Sequence, residues 1–525
     1  MKQKAINMTD SSRILVVGAG PTGLVLAIVL ARHHIPFRII DAASGPGQQS
    51  RAMAVHARTL EFYEQLGFAD QVVAEGMPAV ETHFRERNLF GMSREVGHLK
   101  IGDIGQGQSP FPFILTYPQD LHEKLLAQEL NKLDVSVEYN TTLDALKQGE
   151  KEIIVDLDGP NGREQGVFGY VCGCDGVHSK VRHFSNINFL GGTYEQPFYV
   201  SDVELASDFS TTDFYANISG RTLALLMPVR KTGIHRLTGL IPPGKAHQEQ
   251  INFEDLRSDI EELIGTQVKK VDWFSQYRVH HRVAERFRDR HTFLLGDAGH
   301  VHSPVGGQGM NTGIGDAVNL GWKLAGVVSG RAHPAILDTY EPERRRFAEQ
   351  LVRTTDTVFS FMISDGWLGG AFRRLVMPIV INLINSFGFT RRAAFRSMSQ
   401  IAISYRDSDL SDGRVGVLAG GDRLPWIVYG KVDNFAPLKS LEWQLHTYGD
   451  GNSALLERMS EDTGLSLHRF EWKIEAKAAG VVQDAVYLIR PDGHIALAMR
   501  QPTAEALNCY LKRIGLISGS TKELI

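Results

Sequence analysis

Two glycine-rich stretches hold the residue types that could grip a large, electron-rich ligand. The first is Arg13-Ile-Leu-Val-Val-Gly-Ala-Gly-Pro-Thr-Gly23, an apolar run entering G-x-G-x-x-G, with Pro21 and Thr22 before the last glycine. Gly18 permits a tight turn, Gly20 lets backbone approach a pyrophosphate, and Gly23 permits close helix–strand packing. The second joins His291-Thr-Phe-Leu-Leu-Gly-Asp-Ala-Gly-His300 to Ser303-Pro-Val-Gly-Gly-Gln-Gly-Met-Asn-Thr-Gly-Ile-Gly-Asp-Ala-Val-Asn319. Here Gly296 and Asp297 end an apolar run, and a loop with Pro304, Gly307 and Gly309 leads into a helical pattern. A helix N-terminus behind such a loop suits a flat ring that gains negative charge on reduction.

These residues need particular elements to position them. After Gly23, Leu24 to Ala31 reads as an apolar helix, and Ile35-Pro-Phe-Arg-Ile-Ile-Asp41 as a second strand ending in an acid. Strand, loop, helix, strand and acid together form the dinucleotide fingerprint, with Asp41 able to accept from a ribose hydroxyl. The fingerprint alone does not separate NAD from FAD, which share the adenosine diphosphate half. A second glycine-rich loop far downstream favours FAD, whose ribityl chain and ring extend beyond the pyrophosphate. Asp297 then faces the ribityl side, and the backbone at Gly309, Met310 and Asn311 can donate to the pyrimidine edge.

A third segment lies between them, Tyr170-Val-Cys-Gly-Cys-Asp-Gly-Val-His-Ser-Lys-Val-Arg182. In this order the three motifs resemble those of the single-component, class A flavoprotein aromatic hydroxylases. The resemblance implies that Asp175 and Gly176 touch the flavin region and the nicotinamide donor's pyrophosphate. It also implies that Arg51, in Ser50-Arg-Ala-Met-Ala-Val-His-Ala-Arg-Thr-Leu-Glu61, contacts the cofactor. Gln119, in Tyr117-Pro-Gln-Asp-Leu121, is implied on the ribityl side, and Pro304 against the flavin. The implied activity is an NAD(P)H- and O2-dependent hydroxylation of a phenolic or polyketide-like aromatic through a flavin C4a-hydroperoxide. With one dinucleotide fingerprint in the chain, NAD(P)H is read as a transient co-substrate, and NADH and NADPH both stay open. A non-catalytic FAD-holding protein of the same fold is the alternative.

Phenol hydroxylase relatives carry an Asp where this chain has Met53, so the general base is left open among His56, Tyr199 and His235. Arg51 and Pro304 are the residues expected nearest the chemistry. The fold class is α/β, a Rossmann-like FAD-binding domain with an inserted α+β substrate domain and a C-terminal thioredoxin-like domain. The expected boundaries are 1–75, 111–185 and 285–365 for the FAD part, and 76–110 and 186–284 for the substrate part. A helical connector follows at 366–410 and the thioredoxin-like domain at 411–525. Strand-like alternation marks Arg221 to Val229 and Ile234 to Leu240. A hairpin is expected around Pro491-Asp-Gly493. The last domain contains no C-x-x-C, so it is read as structural or as a homodimer contact.

Composition excludes more than it identifies. At 525 residues the chain can enclose a buried cofactor. A net charge of −4, from 56 basic and 60 acidic residues, offers no basic field for nucleic acid. His280 and His281 are adjacent and so point to opposite faces of a strand, and no metal site is expected. Three cysteines, with no signal-like N-terminus, fit a reducing, cytoplasmic setting. The apolar run Leu375 to Phe387 is short and broken by Pro378, so it is read as a buried or partner-facing helix and not a membrane span.

Overall fold

A computed structural model describes residues 13–47, 52–87, 93–220, 222–229, 233–248, 250–304, 306–363 and 375–516. Ile14–Val17 and Phe37–Ile40 are neighbouring parallel strands joined by helix α1 (Pro21–Arg32). Every residue of Ile14–Val17 is buried, as expected for a parallel strand covered on both faces. Tyr170–Gly173 pairs in parallel on its other side, followed by Thr292–Leu294 and the short antiparallel Arg288–Asp289. Sequence order and spatial order differ here, so segments far apart in the chain end at one edge of one sheet. Helices α2 (Ala57–Leu66), α3 (Ala69–Glu75), α4 (Gln119–Asn131) and α5 (Lys180–Phe184) belong to the same half.

A seven-stranded sheet takes Glu81–Arg87 and Ser93–Lys100 from one part of the chain. Phe198–Leu205, Phe214–Ser219, Thr222–Pro228, Ile234–Leu240 and Val268–Tyr277 come from another. Alternation along its strands splits it into two faces. Tyr199, Val203, Leu226 and Leu237 pack against helix α6 (Phe253–Ile264). Phe198, Ile218, Leu223 and Leu240 face the other way. Residues 77–78 were expected in the substrate insert, but they pair with Leu115–Thr116, which also pairs with Ala54–Val55.

Helix α7 (Gly309–Val328) crosses α1, and α8 (Tyr340–Ile363) carries Phe359 to the inner face of the large sheet. Two short helices follow, α9 (Met377–Ser386) and α10 (Gly388–Met398). Ile381 of α9 touches the Gly97 region, and the Asn385 side chain donates to the carbonyl of His98 at 2.8 Å, so α9 lies along the Ser93–Lys100 edge. Among the described residues no helix is long and apolar enough to cross a membrane.

The C-terminal part contains a four-stranded sheet in the order Ser466–Phe470, Gln444–Tyr448, Val486–Ile489, Ile495–Met499. The first two strands are parallel and the rest antiparallel. With helices α11 (Ser453–Thr463), α12 (Ile474–Ala478) and α13 (Ala504–Arg513) it has the thioredoxin-like β-α-β-α-β-β-α arrangement. The expected hairpin is present between Val486–Ile489 and Ile495–Met499. Its turn is not solvated: Arg490, Asp492 and His494 are all buried.

Candidate cofactor and substrate site

Three motif segments meet at glycines that have no room for a side chain. Gly18 has φ +102°, and a Cβ there would lie 2.3 Å from the Cys174 carbonyl oxygen and 2.9 Å from Asp175 Cα. That contact follows from the parallel pairing of Ile14–Val17 with Tyr170–Gly173, which brings the loops after both strands together. A Cβ on Gly23 would fall 1.9 Å from the Gly18 carbonyl oxygen. Thr22 joins in the third motif, because its Oγ1 would lie 2.7 Å from a Cβ on Gly296 and 2.3 Å from one on Gly313.

Gly20 behaves differently. It has an extended backbone, φ −69° and ψ −179°, and a Cβ there would meet nothing within 4 Å. The protein itself does not require glycine at this position, so the requirement comes from what approaches from outside. The open cradle at the start of α1 fits a pyrophosphate. Gly20→Leu should leave the stability of the apoprotein within about 0.5 kcal/mol of wild type while abolishing FAD retention on gel filtration. Gly23→Ala should lose both, and equal melting of the two variants would remove the distinction.

The other expected residues divide by what their side chains already do. The Asp41 carboxylate accepts from Ala19 N–H at 2.6 Å and Ala43 N–H at 2.7 Å, closing the loop it was expected to serve. Gln119 Oε1 accepts from Ala52 N–H at 3.1 Å, and its Nε2 donates to Glu123 at 2.8 Å. The Asp175 carboxylate caps α5 by accepting from Val181 N–H at 3.1 Å through Oδ2, and the Cys174–Asp175 backbone faces Gly18. Burial raises that carboxyl above its usual range. Asp297 is exposed between buried Gly296 and Ala298. Arg51 lies outside the described residues.

Downstream, Pro304 precedes Gly306 and Gly307, at φ +82° and +61°, and α7 begins at Gly309. The N–H groups of Gly309, Met310 and Asn311 are in its first turn, where no intrahelical carbonyl can accept them. The Asn311 side chain is fully used as a clamp. Its Nδ2 donates to Ala54 O at 2.8 Å and Gly307 O at 2.9 Å, and its Oδ1 accepts from His56 N–H at 2.9 Å and Thr59 Oγ1 at 2.8 Å. The loop shape therefore depends on α2 as well as α7.

Several residues of the site are not distinguished by the sequence motifs. Asp316, fully buried, accepts from Gly296 N–H at 3.0 Å, His300 Nε2 at 2.7 Å and Arg344 Nε at 2.6 Å. Burial alone would raise its carboxyl, but Arg344 and His300 hold it below the usual range. His302 bonds Ser303 O through Nδ1 at 2.7 Å, and His56 bonds Gly306 O through Nε2 at 2.9 Å. Burial pushes both imidazoles down to about 4, so they are neutral at pH 7. A neutral ring that donates to a carbonyl keeps its other nitrogen as a lone pair. Among the described residues neither His56 Nδ1 nor His302 Nε2 has a partner.

The other two candidate bases are not brought to this place. Tyr199 packs on the α6 face of the large sheet. The His235 ring bonds Gly233 O at 3.2 Å and Ser210 O at 3.3 Å. The opposite face of that sheet does reach the loop. Phe198, Leu223, Leu240, Tyr277 and Phe359 line it, and Tyr194 at its margin bonds both Asp356 and Ser303.

Residues 11–355 match the family model described as FAD binding domain. The chain is 34% identical to 6-methylpretetramide 4-monooxygenase of Streptomyces rimosus, covering 98% of this chain and 95% of that one. Among solved structures it resembles CabE, an aromatic hydroxylase from angucycline biosynthesis, with TM-score 0.78 and 24% identity over 97% of this chain and 100% of that one. It resembles equally the Diels-Alderase PyrE3 of pyrroindomycin biosynthesis, with TM-score 0.75 and 24% identity over 97% and 100%. At such identities these two structures speak for the fold alone.

Proposed function

The chain belongs to the FAD-binding family of NAD(P)H-dependent aromatic monooxygenases, and from that premise we propose that it hydroxylates a polycyclic, polyketide-like phenol. The observation that carries this reading is the apolar inner face of the large sheet, Phe198, Leu223, Leu240, Tyr277 and Phe359, which runs up to the 302–309 loop through Tyr194. A flat aromatic body suits such a wall. The likeness to 6-methylpretetramide 4-monooxygenase over nearly the whole chain supports the same substrate class.

FAD would be held by the Gly18–Gly23 loop, Asp41, Arg51, Gln119, the Asp175–Gly176 backbone, Gly296–Asp297 and the loop from Pro304 to Asn311. When reduced by NAD(P)H it supplies the activation of O2 and the delivery of one oxygen atom to the ring. The chain's own residues do the rest. The first turn of α7 offers N–H groups and a positive helix end to negative charge. The Asn311 clamp keeps Gly307 and α2 in register, and the apolar sheet face excludes water. His56 Nδ1 is our candidate to take the phenolic proton, since its lone pair is buried, unpartnered and fixed by the bond from Nε2 to Gly306.

A second reading, FAD-assisted binding without oxygen transfer, is favoured by the Diels-Alderase that shares this fold. One experiment separates the two. The purified protein is scanned for flavin absorbance, and oxidation of NADH and of NADPH is followed with tetracyclic phenols, simple phenols and phenylpropionates, with mass analysis of products. A product gaining one oxygen atom, formed fastest from a tetracyclic phenol, is expected. Bound FAD with no substrate-stimulated oxidation would establish the second reading instead. His56→Asn should lower kcat at neutral pH while retaining FAD.

A further inference from the structure

Helix α9 presents an aliphatic face outward. Ile381 and Asn385 pin one side of it to the Ser93–Lys100 strand. The other side shows Leu375, Val376, Ile379, Val380, Leu383 and Phe387, with Leu375 65% and Ile379 59% exposed. Their spacing follows the helical period, so they form one stripe and not scattered surface residues. At the start of α10, Phe389 extends the stripe and is 67% exposed. Water-facing helices do not ordinarily carry this pattern.

The charge of the same stretch indicates what covers the stripe. Between residues 366 and 405 there are five arginines, at 373, 374, 391, 392 and 396, and no Asp, Glu or Lys, although the whole chain is net −4. We propose that α9 and α10 seat the protein on an anionic lipid surface, with the aliphatic stripe among the acyl chains and Arg391 and Arg392 at the headgroups; Arg373 and Arg374 lie outside the described residues. Aliphatic face plus basic flank is the pattern of helices that lie in a bilayer interface. A second copy of this chain fits less well, because a two-fold interface would place the two arginine sets against each other. At 10 residues α9 is about 15 Å long, enough to lie in the interface and far too short to span it. The inner sheet face that we assign to the aromatic substrate begins on the sheet whose edge α9 covers, so docking would bring that sheet close to a phase in which polycyclic aromatics dissolve.

The test uses the full-length, FAD-loaded protein and flotation with two kinds of vesicle, phosphatidylcholine alone and phosphatidylcholine mixed with phosphatidylglycerol. Binding to the mixed vesicles at low salt is expected, with at least about tenfold less to the neutral ones and a similar loss at high salt. Ile379→Glu with Leu383→Glu should abolish binding, and the milder Ile379→Ser with Leu383→Ser should weaken it. Both variants should keep the wild-type flavin content and melting temperature, since neither side chain is in the core. Equal binding to both vesicles, or none to either, would overturn the proposal. So would light scattering that shows a dimer in the wild type and a monomer in the Glu variant.

Discussion

Lowering the pH from 6.5 towards 4 is expected to unfold the protein steeply, before most carboxylates titrate. His56, His122, His302 and His446 are buried, and burial pushes their imidazoles down to about 4, 3, 4 and 3. In the unfolded chain each titrates near 6.5. Below that pH the unfolded state binds protons that the folded state refuses, so stability falls as pH falls, down to each folded value. One such histidine costs about 1.4 kcal/mol per pH unit, and the four together cost about 5 kcal/mol per unit at the steepest. A net stability of about 5–15 kcal/mol is lost within about one to three units. Urea denaturation at pH 8, 7, 6 and 5 measures the slope. A stability that is flat between pH 7 and 5 would contradict the burial of these rings. His446→Gln should remove about a quarter of the slope; its ring bonds Gln444 in the C-terminal domain, far from the cofactor motifs.

Asp316→Ala is expected to destabilise the protein by about 3–5 kcal/mol and to release FAD. The carboxylate is the counter-charge of Arg344, whose guanidinium is 1% exposed and among the described residues otherwise bonds Tyr405 OH and Thr312 O. Removing it leaves a buried cation uncompensated, which costs far more than the pair's net contribution. It also strips Gly296 N–H of its acceptor at the residue before Asp297, so the loop that we propose meets the ribityl side loses its anchor. Asp316→Asn should retain part of the Gly296 contact and lose less flavin. The exposed pair Arg346–Asp407 is the control, and its removal should change stability by less than about 1 kcal/mol. A Tm for Asp316→Ala equal to that control would show that Arg344 relaxes into solvent.

The pattern of legibility follows from which interactions are local. Strand, loop and helix at Ile14 to Arg32 could be read because apolar runs and glycines fix them within twenty residues. The Ile234–Leu240 strand and the Asp492–Gly493 turn were equally plain for the same reason. The charges were not: Arg58 reads as a surface residue, yet it is buried and bonds Glu61 and the carbonyl of Asp492. Arg490 likewise reaches Glu343 across 147 residues. No periodicity marks a polar residue whose partner is supplied by another domain. His302, in a glycine-rich loop, reads from sequence as a satisfied or solvated histidine, and the packing shows its Nε2 to be buried.

The inward turn of the C-terminal sheet also bears on the order in which the molecule can be made. Glu343 accepts from Arg490 and from Lys323 and Asn319 of α7, while Asp492 accepts from Arg490 and from Trp322 of α7, all buried. On a ribosome, residues 11–355 emerge with every cofactor motif complete, but with Lys323 and Glu343 lacking Arg490 and with Arg58 lacking its acceptor on Asp492. The family-matching segment therefore shares buried charge pairs with the C-terminal turn. The Arg490–His494 turn thus ties the C-terminal part to the flavin half through Glu343, Arg58 and Trp322.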